Sequence, residues 1–217
     1  SAVEDLNVKT IISTKIEHHA ILHALDYLEK KNVSIVYLPV NKNGEFKYQD
    51  LENAISSDDS KKLVSLMHVN NEIGNMIDLE YISKMCQSKG VLLHTDAVQS
   101  IGHFKIDLNE IKVDFLSAAA HKFHGPKGVG FSFIRKNSGL NPFILGGSQE
   151  RGLRAGTESV HNIVGMSKAL ELAYKNLEEE SKYVKDLKNN QRGRIKEYAK
   201  KFKADYFEKI RPWNQKC

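Results

Sequence analysis

Short apolar runs alternate with stretches of helical spacing along the first 190 residues. Apolar residues recur every three or four positions in the predicted helices, which are Ala20 to Lys31, Tyr48 to Ser56 and Leu79 to Ser88. The predicted strands are Thr10 to Ile16, Val33 to Val40, Lys62 to Val69, Val91 to Thr95, Phe115 to Ala120 and Gly128 to Ile134. This alternation predicts an α/β fold with a mostly parallel, mixed sheet covered by helices.

The last third of the chain has a different pattern. Residues Asn162 to about Asn190 carry one apolar stripe, from Ile163 to Val184, and predict a single long helix. From Gln191 to Cys217 the composition turns strongly basic, and at most one amphipathic helix, Ile195 to Phe207, is expected there. We therefore divide the chain into a region 1–190 and a basic C-terminal tail, 191–217.

Composition narrows the class of protein. The chain has 217 residues, 41% hydrophobic and 27% charged, which is typical of a globular protein with one sizeable core. The formal net charge is +5, and much of the excess of lysine lies after Lys182. These lysines are not interleaved with aromatic residues in the way typical of a nucleic-acid surface, so they indicate a solvated helix.

The two cysteines, Cys86 and Cys217, are too few and too scattered for a disulfide framework or a zinc site. They favour a reducing compartment, which we expect to be the cytoplasm. The chain has no apolar run of about 18 residues, so no membrane association is expected, and its start has no signal-peptide pattern.

Polar side chains follow four of the predicted strands. They are His18 and His19 after the first strand, Asn70 and Asn71 after another, Asp96 and Gln99 after a third, and Lys122 after a fourth. Ligands of parallel sheets bind at the carboxyl ends of the strands, so these residues predict a binding site. A lysine that ends a buried strand beside tight turns suits an amine that attacks a carbonyl.

Together these side chains match what pyridoxal phosphate requires. The cofactor needs a lysine to form an imine with its aldehyde, an anion at its pyridine nitrogen and a planar group on its ring. The candidates are Lys122 for the imine, Asp96 for the pyridinium, Gln99 for the phenolate oxygen, His18 for stacking and proton transfer, Asn71 for the ring oxygen or substrate, and His121 and Thr157 for the phosphate.

Each candidate also has a simpler interpretation. Asp96 could cap a following helix, and His18 and His19 could be exposed residues at a helix start. Asn70 and Asn71 could form a turn. The charged residues of the segment 149–154 could form surface ion pairs that contribute little.

Five stretches resemble the cysteine desulfurases of the NifS/IscS type, a group of class V aminotransferase-like, fold-type I pyridoxal phosphate enzymes. They are TKIEHHAIL (14–22), MHVNNEIG (67–74), HTDAVQSIG (94–102), AHKFHGPKGVG (120–130) and GGSQERGLRAGTE (146–158). The resemblance implies a partial cofactor-binding large domain in region 1–190, which removes sulfur from L-cysteine to give L-alanine and a persulfide for iron–sulfur cluster assembly. It also implies the roles proposed above for the candidate residues, a homodimer in which Thr157 reaches the other subunit's site, and a sulfur-acceptor or scaffold partner.

Three departures from the family pattern qualify this resemblance. Ala119 stands where family members usually carry a phosphate-binding serine, and neither Cys86 nor Cys217 lies in a motif like the family's cysteine loop. The family's first and last segments have no counterpart in this sequence. We therefore expect a central part of a desulfurase large domain without complete machinery. A selenocysteine lyase, a transaminase and a non-catalytic fragment remain open alternatives.

Overall fold

The structure is a computed structural model that describes residues 1–201, with side chains as far as residue 194. The helices are α1 (Ala2–Asp5), α2 (His19–Glu29), α3 (Tyr48–Ile55), α4 (Leu79–Ser88), α5 (Val160–Lys175) and α6 (Leu177–Lys201). The strands are β1 (Thr10–Thr14), β2 (Ser34–Leu38), β3 (Lys62–Ser65), β4 (Leu92–Asp96), β5 (Phe115–Ala119) and β6 (Gly130–Ile134). Single 3₁₀ turns occupy Ala120–Phe123, here called the lysine turn, and Glu150–Gly152.

The strands form one six-stranded sheet in the order β2-β1-β3-β4-β5-β6. Strands β1 to β5 pair in parallel, whereas β6 runs antiparallel to β5, from Phe115 opposite Ile134 to Ala119 opposite Gly130. The sheet is therefore mostly parallel and mixed, as the sequence predicts. The predicted strands are correct in place. Strand β4 begins and ends one residue later than predicted, and the other five strands are one to four residues shorter than predicted.

Successive residues of the inner strands enter two separate cores. In β1, Ile12 packs in one cluster with Leu51 of α3 and Ile82 of α4, while its neighbour Ile11 packs in the other with Leu25 of α2. Adjacent side chains of a strand point to opposite faces, so a sheet covered on both faces needs apolar residues at every position. This explains the continuous apolar runs of the sequence.

The long helix predicted from Asn162 to about Asn190 is wrong in one respect. Asn176 leaves helical geometry at φ −101° and ψ 5° and divides the segment into α5 and α6. Asparagine favours helix ends because its short polar side chain competes for backbone hydrogen bonds. The acidic residues Glu178, Glu179 and Glu180 then occupy the first turn of α6, where they complement the helix dipole.

The predicted apolar stripe also ends sooner than expected. Met166, Ala169, Leu170 and Ala173 of α5 pack against the first core, but Val184 of α6 is 59% exposed. The division proposed at residue 190 falls inside α6. Of the tail helix expected from Ile195 to Phe207, residues 202–207 lie outside the described part of the chain.

Within residues 1–201, no helix is both long and apolar enough to span a membrane.

One glycine fixes the packing beneath the lysine turn. Gly102 has φ +83°, and a Cβ atom built on it would lie 2.6 Å from Cβ of Phe123, the last residue of the turn. The same atom would lie 3.3 Å from Cβ of Ala173 in α5. The lysine turn and α5 can therefore pack together only because position 102 has no side chain.

We expect Gly102→Ala to destabilise the protein more than Gly90→Ala. Both glycines have positive φ, but a Cβ atom on Gly90, at φ +65°, would meet nothing within 4 Å. Each substitution costs roughly 1–2 kcal/mol for the left-handed backbone, and overpacking against Phe123 adds about 1–3 kcal/mol at position 102 alone. Urea unfolding of the two variants measures the difference in the free energy of unfolding. Equal losses would show that the Phe123 side chain moves aside without a free-energy cost.

Candidate active site

The loops that follow β1, β3, β4 and β5 lie at one edge of the sheet. These strands are parallel, so their carboxyl ends share this edge, here called the carboxyl edge. The backbone continues the alignment beyond the strands: the His68 N–H donates to the Asp96 carbonyl at 2.9 Å, and the Ala97 N–H donates to the Ser117 carbonyl at 2.9 Å. Residues that are far apart in sequence therefore converge there.

Lys122 lies in the lysine turn directly after β5 and is half-buried. The turn is closed by the Gly125 N–H, which donates to the Ala120 carbonyl at 2.8 Å. His103 Nε2 lies 2.9 Å from the carbonyl oxygen of Lys122 and donates to it. The turn that carries this lysine is thus closed by its own backbone, and His103 holds the Lys122 carbonyl. Its neighbour His121 is exposed on the same turn.

Asp96 ends β4, the strand beside β5, and is only 7% exposed. Its Oδ1 accepts a hydrogen bond from the Val98 N–H at 2.9 Å. Residues 97–103 form turns rather than a helix, so the interpretation of Asp96 as a helix cap is wrong. Gln99 is half-buried within these turns. The structure therefore brings Asp96, Gln99 and Lys122 to neighbouring strand ends.

His18 follows β1 and is the N-cap of α2. Its Nδ1 accepts a hydrogen bond from the Ala20 N–H at 3.1 Å, and the residue is exposed. This is the helix-start position that the simpler interpretation expects. It also places an imidazole at the carboxyl edge.

The two asparagines after β3 have different environments. Asn70 is buried: its Nδ2 donates to the Ile16 carbonyl at 2.7 Å, and its Oδ1 accepts from the N–H groups of Glu72 and Ile73. Asn71 is exposed and donates to Glu72 Oε1 at 2.8 Å. Asn70 therefore organises a turn, and Asn71 is the asparagine that a ligand can approach.

Thr157 does not belong to the strand-end loops. It is exposed in the loop between the Glu150–Gly152 turn and α5. Here Gln149 Oε1 accepts a hydrogen bond from the Gly156 N–H at 3.1 Å. The contact of Thr157 with another subunit stays a prediction. In the described part of the chain the salt bridges join Lys62 to Asp58, Lys84 to Glu80 and Lys168 to Glu171, so the ion pairs considered for residues 149–154 are not formed there.

Sequence reasoning missed a buried carboxyl group at this edge. Glu17 is 6% exposed, and its Oε1 accepts hydrogen bonds from Thr14 Oγ1 at 3.2 Å and from the Met67 N–H at 3.0 Å. Burial raises the pKa of Glu17 to about 7, and the nearby charge of Asp96 also raises it. The signal was its position: an acidic residue directly after a buried strand and directly before His18.

Two buried histidines were also missed. His94 in β4 joins its neighbouring strands through Ser65 Oγ, 2.9 Å from Nδ1, and Ser117 Oγ, 3.2 Å from Nε2. His68 lies against Phe104 with ring centroids 6.3 Å apart, and its Nδ1 is buried without a hydrogen-bond partner. Burial lowers the pKa of both imidazoles, that of His68 to about 4. Both are neutral at physiological pH.

Cys86 is unsuited to nucleophilic chemistry. It lies on α4 with 1% exposure, and burial raises the pKa of its thiol to about 12, so it carries no thiolate near neutral pH. Cys217 lies outside the described residues. Within residues 1–194, no three histidine, cysteine or acidic side chains form a group that could hold a metal ion.

Comparison with known proteins shows the family of this chain. The family model described as aminotransferase class-V matches residues 6–205, and the chain belongs to this family. The cysteine desulfurase IscS of Clostridium botulinum is 48% identical over 185 residues, covering 85% of this chain and 45% of the relative. That of Methanosarcina thermophila is 44% identical over 181 residues, covering 83% of this chain and 44% of the relative.

A solved structure described as a NifS-like protein has a TM-score of 0.81 and 42% identity, and the match covers 87% of this chain and 52% of that one. The predicted fold, that of the NifS-like fold-type I enzymes, is thereby confirmed. A second solved structure, described as SspA in complex with cysteine, has a TM-score of 0.73 and 35% identity over 78% of this chain and 51% of that one. The chain spans about half the length of the relatives that it matches.

We expect His68 to make the protein less stable in weak acid. Its pKa falls from about 6.5 in the unfolded chain to about 4 in the folded protein. The stability that its neutral form contributes is therefore complete above about pH 6.5 and is lost as the pH falls toward 4, by about 2–3 kcal/mol. His68→Gln should remove this loss, as measured by denaturant unfolding across the range.

The exposed histidine His161 of α5 provides the matched control. His161→Gln should leave the acid dependence of the free energy of unfolding unchanged. An acid dependence as large in His68→Gln as in the parent would assign it to other groups, such as His94, whose pKa is also lowered by burial.

Proposed function

We propose that this chain binds pyridoxal phosphate and is the central part of a cysteine desulfurase. The activity is removal of sulfur from L-cysteine to give L-alanine and a persulfide for iron–sulfur cluster assembly and sulfur transfer. The observation that carries the proposal is the meeting of Lys122 and Asp96 at the ends of adjacent parallel strands, where a ring-shaped cofactor would contact both.

The donor set at the carboxyl edge fits this cofactor. Asp96 is a buried carboxylate with one oxygen already held by a backbone N–H, so its position is fixed before any ligand arrives. An anion there keeps the ring nitrogen protonated. When bound, the cofactor supplies an electron-withdrawing ring that stabilises negative charge on the substrate carbon next to the amine.

The residues of the carboxyl edge have separate roles in holding the cofactor and in proton transfer. Lys122 would hold the cofactor through its aldehyde, and its free amine would accept a proton from the substrate Cα. His18 would cover one ring face, and an imidazole in that position can donate or accept a proton. Gln99 donates to the phenolate side of the ring, Asn71 contacts the ring oxygen or the substrate, and His121 and Thr157 donate to the phosphate.

Ala119 occupies the end of β5, where it pairs with Gly130. It has no hydroxyl to offer a phosphate oxygen. We expect the missing hydrogen bond to weaken cofactor binding by about 1 kcal/mol.

A homodimer accounts for the loop that carries Thr157. Thr157 is exposed, and so are the apolar side chains of Phe143 and Leu145 in the preceding segment, at 80% and 82%. Large apolar side chains exposed together favour a protein partner. A second copy of the chain would cover them while Thr157 reaches the phosphate of that copy's cofactor. A sulfur acceptor or iron–sulfur scaffold would be a further partner, in a reducing compartment such as the cytoplasm.

A thiolate must attack the substrate sulfur, and Cys86 cannot supply it. The desulfurase activity therefore belongs to a protein in which another cysteine reaches the site. A selenocysteine lyase or a transaminase of the same family would use the same edge, and product analysis separates them: alanine indicates sulfur or selenium removal, and a keto acid indicates transamination.

Lys122→Ala should abolish the absorbance that appears when a lysine amine condenses with the cofactor aldehyde. Lys127→Ala, on the exposed part of the same loop, is the matched control and should keep the absorbance. The measurement is a spectral titration of the purified chain with pyridoxal phosphate. A chain that gives no band, or a band that survives in Lys122→Ala, would contradict the proposed cofactor site.

We expect the 217-residue chain by itself to release little or no sulfide from L-cysteine, because Cys86 is buried and protonated. Cys86→Ser should leave this low rate unchanged, as should Cys217→Ser. Sulfide and alanine are measured together in a fixed-time assay with added cofactor. Robust release that depends on Cys217 would show that the chain contains its own nucleophile.

A further inference from the structure

Glu17 joins the ends of two strands at the carboxyl edge. Strand β1 ends at Thr14, so the Met67 N–H, beyond the end of β3, has no strand partner on that side. Glu17 Oε1 accepts this N–H at 3.0 Å and also accepts the Thr14 hydroxyl at 3.2 Å. The carboxyl group thus takes the place of a strand partner for the Met67 N–H, two residues beyond the end of β3.

The same segment leads from Glu17 to Asp96. Met67 donates to Glu17 on one side, and the next residue, His68, donates to the Asp96 carbonyl at 2.9 Å on the other. The second oxygen of Glu17, Oε2, is buried without a hydrogen-bond partner. The Glu17 carboxyl group and the backbone carbonyl of Asp96 therefore flank one short piece of backbone, and the second carboxyl oxygen of Glu17 is shielded from water.

A buried carboxyl group beside another one keeps its proton, because burial and the neighbouring negative charge both disfavour ionisation. Burial is the largest cause and outweighs the hydrogen bonds from the Met67 N–H and the Thr14 hydroxyl, which favour the charged form; with the added charge of Asp96, the pKa of Glu17 is raised to about 7. Asp96 is the residue that the proposed function needs as an anion. A neutral Glu17 leaves that charge on Asp96.

We infer that Glu17 is a positioning residue of this site: it fixes the loop after β3 and, by retaining a proton in the free chain, leaves Asp96 as the anion of the pair. Its effect on a bound cofactor rests on the proposed function, whereas its protonation in the free chain does not. Glu17 acts through Met67 and Asp96 and is not itself a catalytic residue.

The titratable groups around Glu17 are accounted for on each neighbouring element. Asp96 of β4 is the charged group that acts on it. His68, beyond β3, packs on Phe104 and is neutral above about pH 4. His18, at the start of α2, is exposed and directs its Nδ1 to the Ala20 N–H.

The first test follows the carboxyl carbons of ¹³C-labelled glutamate by NMR in the 217-residue chain. One glutamate should titrate with a midpoint near pH 7, and this signal should vanish in Glu17→Gln. In Glu110→Gln, which changes an exposed residue, it should remain. If no glutamate titrates above about pH 6, the inference is wrong.

Unfolding provides an independent readout with a defined sign. The folded protein keeps a proton that the unfolded chain releases at about pH 4.5, so the contribution of Glu17 is complete below that pH and is lost as the pH rises toward 7. The unfolding equilibrium constant of the parent, divided by that of Glu17→Gln, should rise about a hundredfold over this range. His68 is present in both proteins, so its opposite dependence cancels in the ratio. A flat ratio would overturn the retained proton.

The second test concerns the cofactor and uses its affinity rather than activity. A cationic ring beside Asp96 favours ionised Glu17, so binding releases a proton from it. The affinity of the parent for pyridoxal phosphate, relative to Glu17→Gln, should rise several-fold between about pH 6 and 8. A constant ratio would refute the link between Glu17 and the ring. Absence of the lysine-dependent absorbance in both proteins would refute the proposed function, while the NMR titration would still decide the protonation of Glu17.

Discussion

Parallel pairing of β1, β3, β4 and β5 is the constraint on which the site depends. A strand whose neighbours run in the same direction must end at the same edge as they do, so the residues that follow each strand are brought together whatever their separation in the chain. Asp96 and Lys122 are 26 positions apart by their numbers and yet follow adjacent strands. The two hydrophobic cores stabilise this arrangement, because the helices pack on the two faces of the sheet and leave the ends of the strands uncovered.

Most of the fold could be predicted because the strands are buried on both faces. Short continuous apolar runs between helices indicate strands that are covered on both faces. The helices between them have a clear helical spacing of apolar residues. The ends of the elements were less well predicted, since strand pairing stops where partners stop rather than where apolar residues stop. The break at Asn176 was missed because the apolar spacing of the segment continues across it, although the packing does not.

The convergence of polar residues at the carboxyl edge was predictable where the chemistry of a residue is visible in its type, and their roles stay predictions. A lysine, an aspartate and a histidine after strands are conspicuous, and the motifs around them resemble one family. Glu17, His68 and His94 were missed because their importance lies in burial and in hydrogen bonds between strands, which no local pattern reveals. Asn70 and Asn71 look alike in the sequence, and only the contacts show that one organises a turn and the other faces outward.

The antiparallel direction of β6 has a mechanical consequence for Lys122. Because β6 returns alongside β5, the connecting segment begins and ends on paired backbone, with Ala119 opposite Gly130 and the Ala120 N–H donating to the Val129 carbonyl. A segment that is hydrogen-bonded at both ends cannot move as a rigid lid over the site. Any movement of the Lys122 amine must then come from rotation about the bonds of its own side chain, on a backbone that stays fixed.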